Sequence, residues 1–145
     1  MLRTLQVLMI TLGVVCVAIA LSILCLGAET TAWSGERLLN AMTGQRLPLS
    51  EPWPASMDSE LRFFSILFGV YGAALLATAR RLPEHLHRVP WLAGVFFAGG
   101  LGRAVSHLAV GAPHPFFTVL MAAELATPVL FLALWYPLSR SRATA

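Results

Sequence analysis

The chain has 145 residues, of which 57% are hydrophobic and only 12% charged, with a formal net charge of +3. A soluble domain carries about 25% charged residues, so this sequence lacks the polar surface that water requires and reads as an integral membrane protein. The basic balance does not point to nucleic acid. Arg3, Arg80, Arg81, Arg88, Arg140 and Arg142 flank apolar runs, where arginines set membrane topology.

The first apolar run, Leu5 to Leu26, is long enough to cross the hydrocarbon core as a helix. Its end, Leu26-Gly27-Ala28, carries the small residues of a signal-peptidase site. The run is longer than the apolar region of a secretory signal, however, which favours an uncleaved span. Cys16 and Cys25 both lie on it. Nine residues along a helix is about 900° of rotation, so the two thiols point to opposite sides and cannot pair with each other.

Residues 27–59 form the long polar connection. Within it, Trp33 to Thr43 reads as a short helix at the interface, with Gly44 as its stop. Pro48, Pro52 and Pro54 then exclude regular helix. That stretch is expected to lie extended across one end of the bundle, with Trp53 anchored at the interface.

The second span is expected over residues 60–79, with Asp58 or Ser59 as its N-cap. Gly69, Ala73 and Ala77 recur every four residues and predict a close helix contact. Arg62, Ser65, Gly69 and Gly72 share a face, which turns Arg62 inward near the outer end. Phe63, Phe64 and Phe68 read as lipid-facing or core residues. After the basic loop at 80–88, the third span covers residues 89–111. Gly94, Ala98, Gly102 and Ser106 form a second small stripe, and Gly99, Arg103 and His107 form a polar stripe about 100° away. A tight turn containing His114 leads to the fourth span, residues 116–138. Glu124 and Pro128 sit near its middle, and a bend is expected at the proline. The sum is an all-α, single-domain, four-helix membrane bundle. The positive-inside rule puts both termini in the cytoplasm and the 27–59 connection outside.

Charged groups inside a span are costly and normally face a protein interior or a wet cavity. With a rise of about 1.5 Å per residue, Arg103 and Glu124 each lie roughly 12 Å from the turn that joins their spans. An Arg103–Glu124 ion pair follows. His107 lies one turn nearer the outside, His114 at the mouth, and Arg62, Glu60 and Asp58 at the same end. One reading makes the pair a staple that fixes helix register. The larger number of polar groups favours a cavity for an amphiphilic or anionic lipid-like ligand, or a quinone, held by Arg62, Arg103, His107, His114, Glu124 and Glu60. A second reading, from the two small stripes, is an accessory subunit of a membrane complex or a homo-oligomer. A third is an enzyme in which His107 and Glu124 exchange protons and Arg103 holds an oxyanion. The sequence does not decide whether any reaction occurs. No cofactor is assigned: Arg103 opposes a metal ion beside His107, His114 and Glu124, and a bis-histidine haem needs a second histidine within a span. The chain has no inverted repeat, so a transporter would have to oligomerise.

The stretches SELRFFSILFGVYG, GGLGRAVSHLAVGAPHP and ELATPVLFLALW resemble a family of small bacterial four-span membrane proteins classed as a domain of unknown function. The residues carrying the resemblance are Glu60, Arg62, Gly100, Gly102, Arg103, Ser106, Gly111, His114, Pro115, Glu124 and Pro128. It implies a plasma-membrane four-helix bundle and no particular activity.

Overall fold

The structure is a computed structural model and describes residues 1–143; the side chain of Arg142 lies outside the described residues. In chain order the helices are α1 (Leu2–Leu26), α2 (Ala28–Thr43), α3 (Ala55–Arg80), α4 (Leu82–His85), a 3-10 turn (Leu86–Arg88), α5 (Val89–Val110) and α6 (Pro115–Ala143). Four stretches are long and apolar enough to cross a membrane: α1, α3, Leu82–Val110 and Pro115–Ser141. Helix α6 continues through Pro128 and Pro137.

The four long helices form two antiparallel hairpins, α1 with α3 and α5 with α6, and contacts between the hairpins are sparse. At the α2 end Gly35 packs against the Phe116 ring of α6, and the long helices themselves meet at the opposite end. There Leu5 and Met9 of α1, Leu75 and Ala79 of α3, Leu82, Leu86, Val89, Ala93 and Phe131 form one buried apolar cluster. The Gln6 amide donates to the carbonyl of Ala79 at 2.8 Å, and the Trp135 indole donates to that of Leu86 at 2.8 Å. Arg3, Arg80, Arg81 and Arg88 belong to this basic end.

Helix α1 packs on α3 through small residues, which let backbones approach closely. A Cβ on Gly72 would lie 2.8 Å from the carbonyl oxygen of Gly13, and one on Gly69 would lie 3.2 Å from Cβ of Ala20. The predicted stripe therefore needs correction. Gly69 belongs to the contact, but Ala73 and Ala77 are exposed; the buried positions are Leu75, Thr78 and the seven-residue series Ser65, Gly72 and Ala79. The drift of 3.6 residues per turn rotates a four-residue stripe off the seam, whereas a seven-residue spacing stays on it. The second predicted stripe, Gly94, Ala98, Gly102 and Ser106, is exposed throughout, and a Cβ on Gly94 or Gly102 would meet nothing within 4 Å.

The polar connection is more ordered than the sequence suggested. Helix α2 starts at Ala28, five residues before the predicted start. Gly27, with φ of 93°, breaks α1, and the backbone N–H of Ala28 donates to Asp58 Oδ1 at 3.0 Å. Asp58 thus caps α2 and not its own helix, which begins after Pro54. Gly44 ends α2 in the left-handed conformation, φ 69°. The segment 45–54 then folds back along α2 as a strap. Glu36 is fully buried and accepts from both the N–H and the hydroxyl of Ser50. The Trp33 indole donates to the Ser50 carbonyl, Asn40 to that of Leu47, and the Trp53 N–H to Glu29. Removing the carboxylate with Glu36→Ala strands the Ser50 donors at a cost of about 2–3 kcal/mol. The strap should then detach, read as faster tryptic cleavage after Arg46, while the melting of the four long helices changes little.

Candidate functional site

The α5–α6 hairpin is close-packed where its charges meet. A Cβ on Gly100 would lie 2.9 Å from Cδ2 of Leu125 and 3.1 Å from Cβ of Glu124. The bare glycine lets α6 approach, and Glu124 comes to rest beside Arg103 one turn further along α5. Arg103 Nε donates to Glu124 Oε2 at 2.8 Å. The Glu124 side chain is 11% exposed and that of Arg103 is 40% exposed. The guanidinium also stands 6.0 Å from the centre of the Phe117 ring. Its two Nη groups donate to no acceptor among the described residues.

The pair divides two spaces. Toward the α5–α6 turn lies a pocket of about 120 Å³ bordered by Arg103, Ser106, His107, Phe117, Thr118 and Met121. His107 Nδ1 is shielded from solvent and has no hydrogen-bond partner among the described residues. His114 caps α6: its Nδ1 accepts the N–H of Phe116 at 3.2 Å. A neutral imidazole that accepts at Nδ1 carries its proton on Nε2, and His114 Nε2 is likewise shielded and unpartnered.

On the other side, a cleft of about 400 Å³ runs between α3 and α5. Its walls include Phe64, Phe68 and Tyr71 on α3, and Phe96 and Gly99 on α5, with Glu124 bordering it from α6. Tyr71 closes the cleft toward the basic end. Its ring stacks on Phe96 at 5.9 Å, and its hydroxyl donates to the Leu92 carbonyl at 2.9 Å. Sequence reasoning missed this cleft. The signal was present, since residues 64, 68 and 71 recur on one helical face. Phe63 is 62% exposed and lies off that face.

Arg62 does not join Arg103. Its Nε donates to Asp58 at 2.7 Å and its Nη1 to the carbonyl of Leu24 at 2.6 Å, in the last turn of α1. Arg62 is an inward-facing clamp where α1, α2 and α3 meet. A side chain at Gly27 would lie 3.1 Å from its Nη2. Glu60 is exposed and is not brought to the pair. Of the six predicted ligand residues, Arg103, His107 and Glu124 border the two spaces, His114 caps the helix entering the site, and Arg62 and Glu60 lie apart from it. Among the described residues, no three His, Cys, Asp or Glu side chains converge as a metal site would require.

No curated protein and no solved structure matches the chain. A family model, described as a domain of unknown function (DUF4345), matches residues 4–135, and the chain belongs to that family.

Proposed function

We propose that the protein is a multi-pass membrane protein of a bacterial plasma membrane that holds an amphiphile between its two helical hairpins. Its tail lies in the α3–α5 cleft and its head rests at Glu124, the member of the ion pair that borders the cleft. The observation that carries this reading is the cleft itself, aromatic along its length and ionic at one edge. A volume of about 400 Å³ falls in the range of small-molecule sites. The Arg103–Glu124 pair is already charge-balanced, so an added anion would be uncompensated. The Glu124 carboxylate at the cleft edge instead suits an uncharged head that donates a hydrogen bond, such as a hydroxyl or a quinol, with the guanidinium behind it balancing the charge. The arginines at 3, 80, 81 and 88 support cytoplasmic termini, with α2 and its strap on the outer face.

The test uses a glycine. Gly99 borders the cleft, and a Cβ there meets nothing within 4 Å. A Gly99→Leu chain is expected to fold and melt like the wild type while its side chain fills the cleft. Native mass spectrometry of protein extracted in mild detergent should show a bound neutral amphiphile on the wild type and none on Gly99→Leu. Equal occupancy of both chains, or bulk phospholipid alone on the wild type, overturns the reading.

The bare face of α5 favours a second reading, an accessory subunit or a homo-oligomer. Gly94 and Gly102 have open space where a side chain would stand, as a close-packing helix requires. The acid–base reading has less support: no hydrogen bond joins His107 to Glu124, whose carboxylate is engaged by Arg103.

A further inference from the structure

Beyond Tyr71 the space between α3 and α5 opens again, near the basic end. This second furrow has a volume of about 280 Å³. Ala74 and Ala77 form its α3 side, Trp91 and Leu92 its α5 side, and His87 and Arg88 its rim. We infer that it binds one anionic phospholipid, with the phosphate on Arg88 and His87 and the first methylenes of an acyl chain laid over Ala74 and Ala77. This site is separate from the cleft at Glu124. It rests on the chain lying in a bilayer and not on what the cleft holds.

Charge is the first argument. Arg80, Arg81 and Arg88 are all exposed, and Glu84 is the only acid between them. Neither Arg62–Asp58 nor Arg103–Glu124 involves these three arginines, and none of the three has an ion-pair partner among the described residues. Basic pockets between membrane helices draw their counter-charge from anionic head groups. Every basic residue of the chain is arginine, whose planar fork matches two phosphate oxygens at once.

Shape is the second argument. Ala77 is exposed, so α3 presents backbone and methyl groups where a larger residue would make it flush with its neighbours. Trp91, 79% exposed, stands beside the furrow within one helical turn of Arg88. An indole at that height suits the head-group layer. A free phosphate would use the charged rim alone, whereas a lipid uses the rim and the apolar floor together. That commits the site to a lipid.

The experiment uses the full chain in mild detergent, titrated with phosphatidylglycerol and, separately, with phosphatidylcholine. Binding is read by native mass spectrometry. Phosphatidylglycerol should bind at one per chain, at least tenfold more tightly than phosphatidylcholine. Ala77→Phe, at an exposed position, fills the furrow and leaves all charges in place. Arg88→Gln removes the charge and leaves the furrow open. Each should weaken phosphatidylglycerol at least fivefold without lowering Tm, whereas Gly99→Leu should leave it unchanged. Millimolar inorganic phosphate should not displace the lipid. Equal binding by wild type and Ala77→Phe would mean diffuse attraction to a basic surface, and full displacement by phosphate would mean an anion site without a tail. Either result overturns the proposal. Because Gly99→Leu tests the cleft and Ala77→Phe tests the furrow, the two readings fail separately.

Discussion

Gly72→Leu is expected to force α1 and α3 apart and to remove about 3 kcal/mol or more of stability. The new Cβ alone would lie 2.8 Å from the Gly13 carbonyl oxygen, 2.9 Å from Cβ of Cys16 and 3.0 Å from Cγ2 of Val17. The nearest of these is backbone in the middle of a helix and cannot swing away. Overpacking typically costs about 1–3 kcal/mol, and leucine adds three more carbons to a site already closed at the first. In lipid the hydrophobic effect does not restore the contact, because van der Waals packing is what holds membrane helices together. Gly72→Ala should lose less, about 1–2 kcal/mol. Gly94→Ala and Gly102→Ala are the controls. Nothing lies within 4 Å of a Cβ at either site, and alanine is the better helix former by up to about 1 kcal/mol. Both should be neutral or stabilising. Unfolding by denaturing detergent, followed by circular dichroism, measures all four. If Gly72→Leu matches the wild type, the close α1–α3 contact is wrong.

The ion pair should respond asymmetrically. In Arg103→Met the Glu124 carboxyl, 11% exposed, loses its only charged partner and is left among apolar walls. Removing one partner of a buried pair costs about 3–5 kcal/mol. The open pocket beside Arg103 moderates this, and about 2–3 kcal/mol is expected. In Glu124→Gln the guanidinium, 40% exposed, still reaches the pocket by the turn, and glutamine preserves an acceptor. About 1 kcal/mol is expected there. The double variant Arg103→Met/Glu124→Gln should be more stable than Arg103→Met alone, since no charge then remains to be stranded. Thermal unfolding of the three variants in detergent tests the order. Equal losses in the two single variants would mean that the pair is wet on both sides.

Much of this was readable from the residues. Four apolar runs of membrane length report their helices directly, because only helices satisfy the backbone in lipid without help from elsewhere. The meeting of Arg103 and Glu124 is also legible: a four-residue turn makes the spans antiparallel, and equal distances from it fix equal depth. Arg62 is legible only in part. Its inward direction followed from its face of α3, but its partners come from Leu24 and Asp58, and only the return of α2 brings that junction together. The small stripes failed for a related reason. Gly69–Ala73–Ala77 and Gly94–Ala98–Gly102 have the spacing of packing surfaces, yet which face meets a neighbour depends on rotation about the helix axis, and no local spacing encodes that. Glu36 looked like an interfacial acid because Ser50, fourteen residues later, had no sequence signal tying it to that carboxyl. Of the cleft, the sequence holds one wall, Phe64, Phe68 and Tyr71 on a single face of α3, while the gap in front of it is set by how the hairpins pack.

The two hairpins are fastened chiefly by the cluster around Leu75, Leu86 and Phe131. Phe116 of α6, packed on Gly35 of α2, is a smaller fastening at the far end. Between these fastenings runs an open slit, with Phe68 and Gly99 on its lips. A guest of the kind proposed above would enter that slit sideways from the lipid, without crossing water and without any helix unwinding.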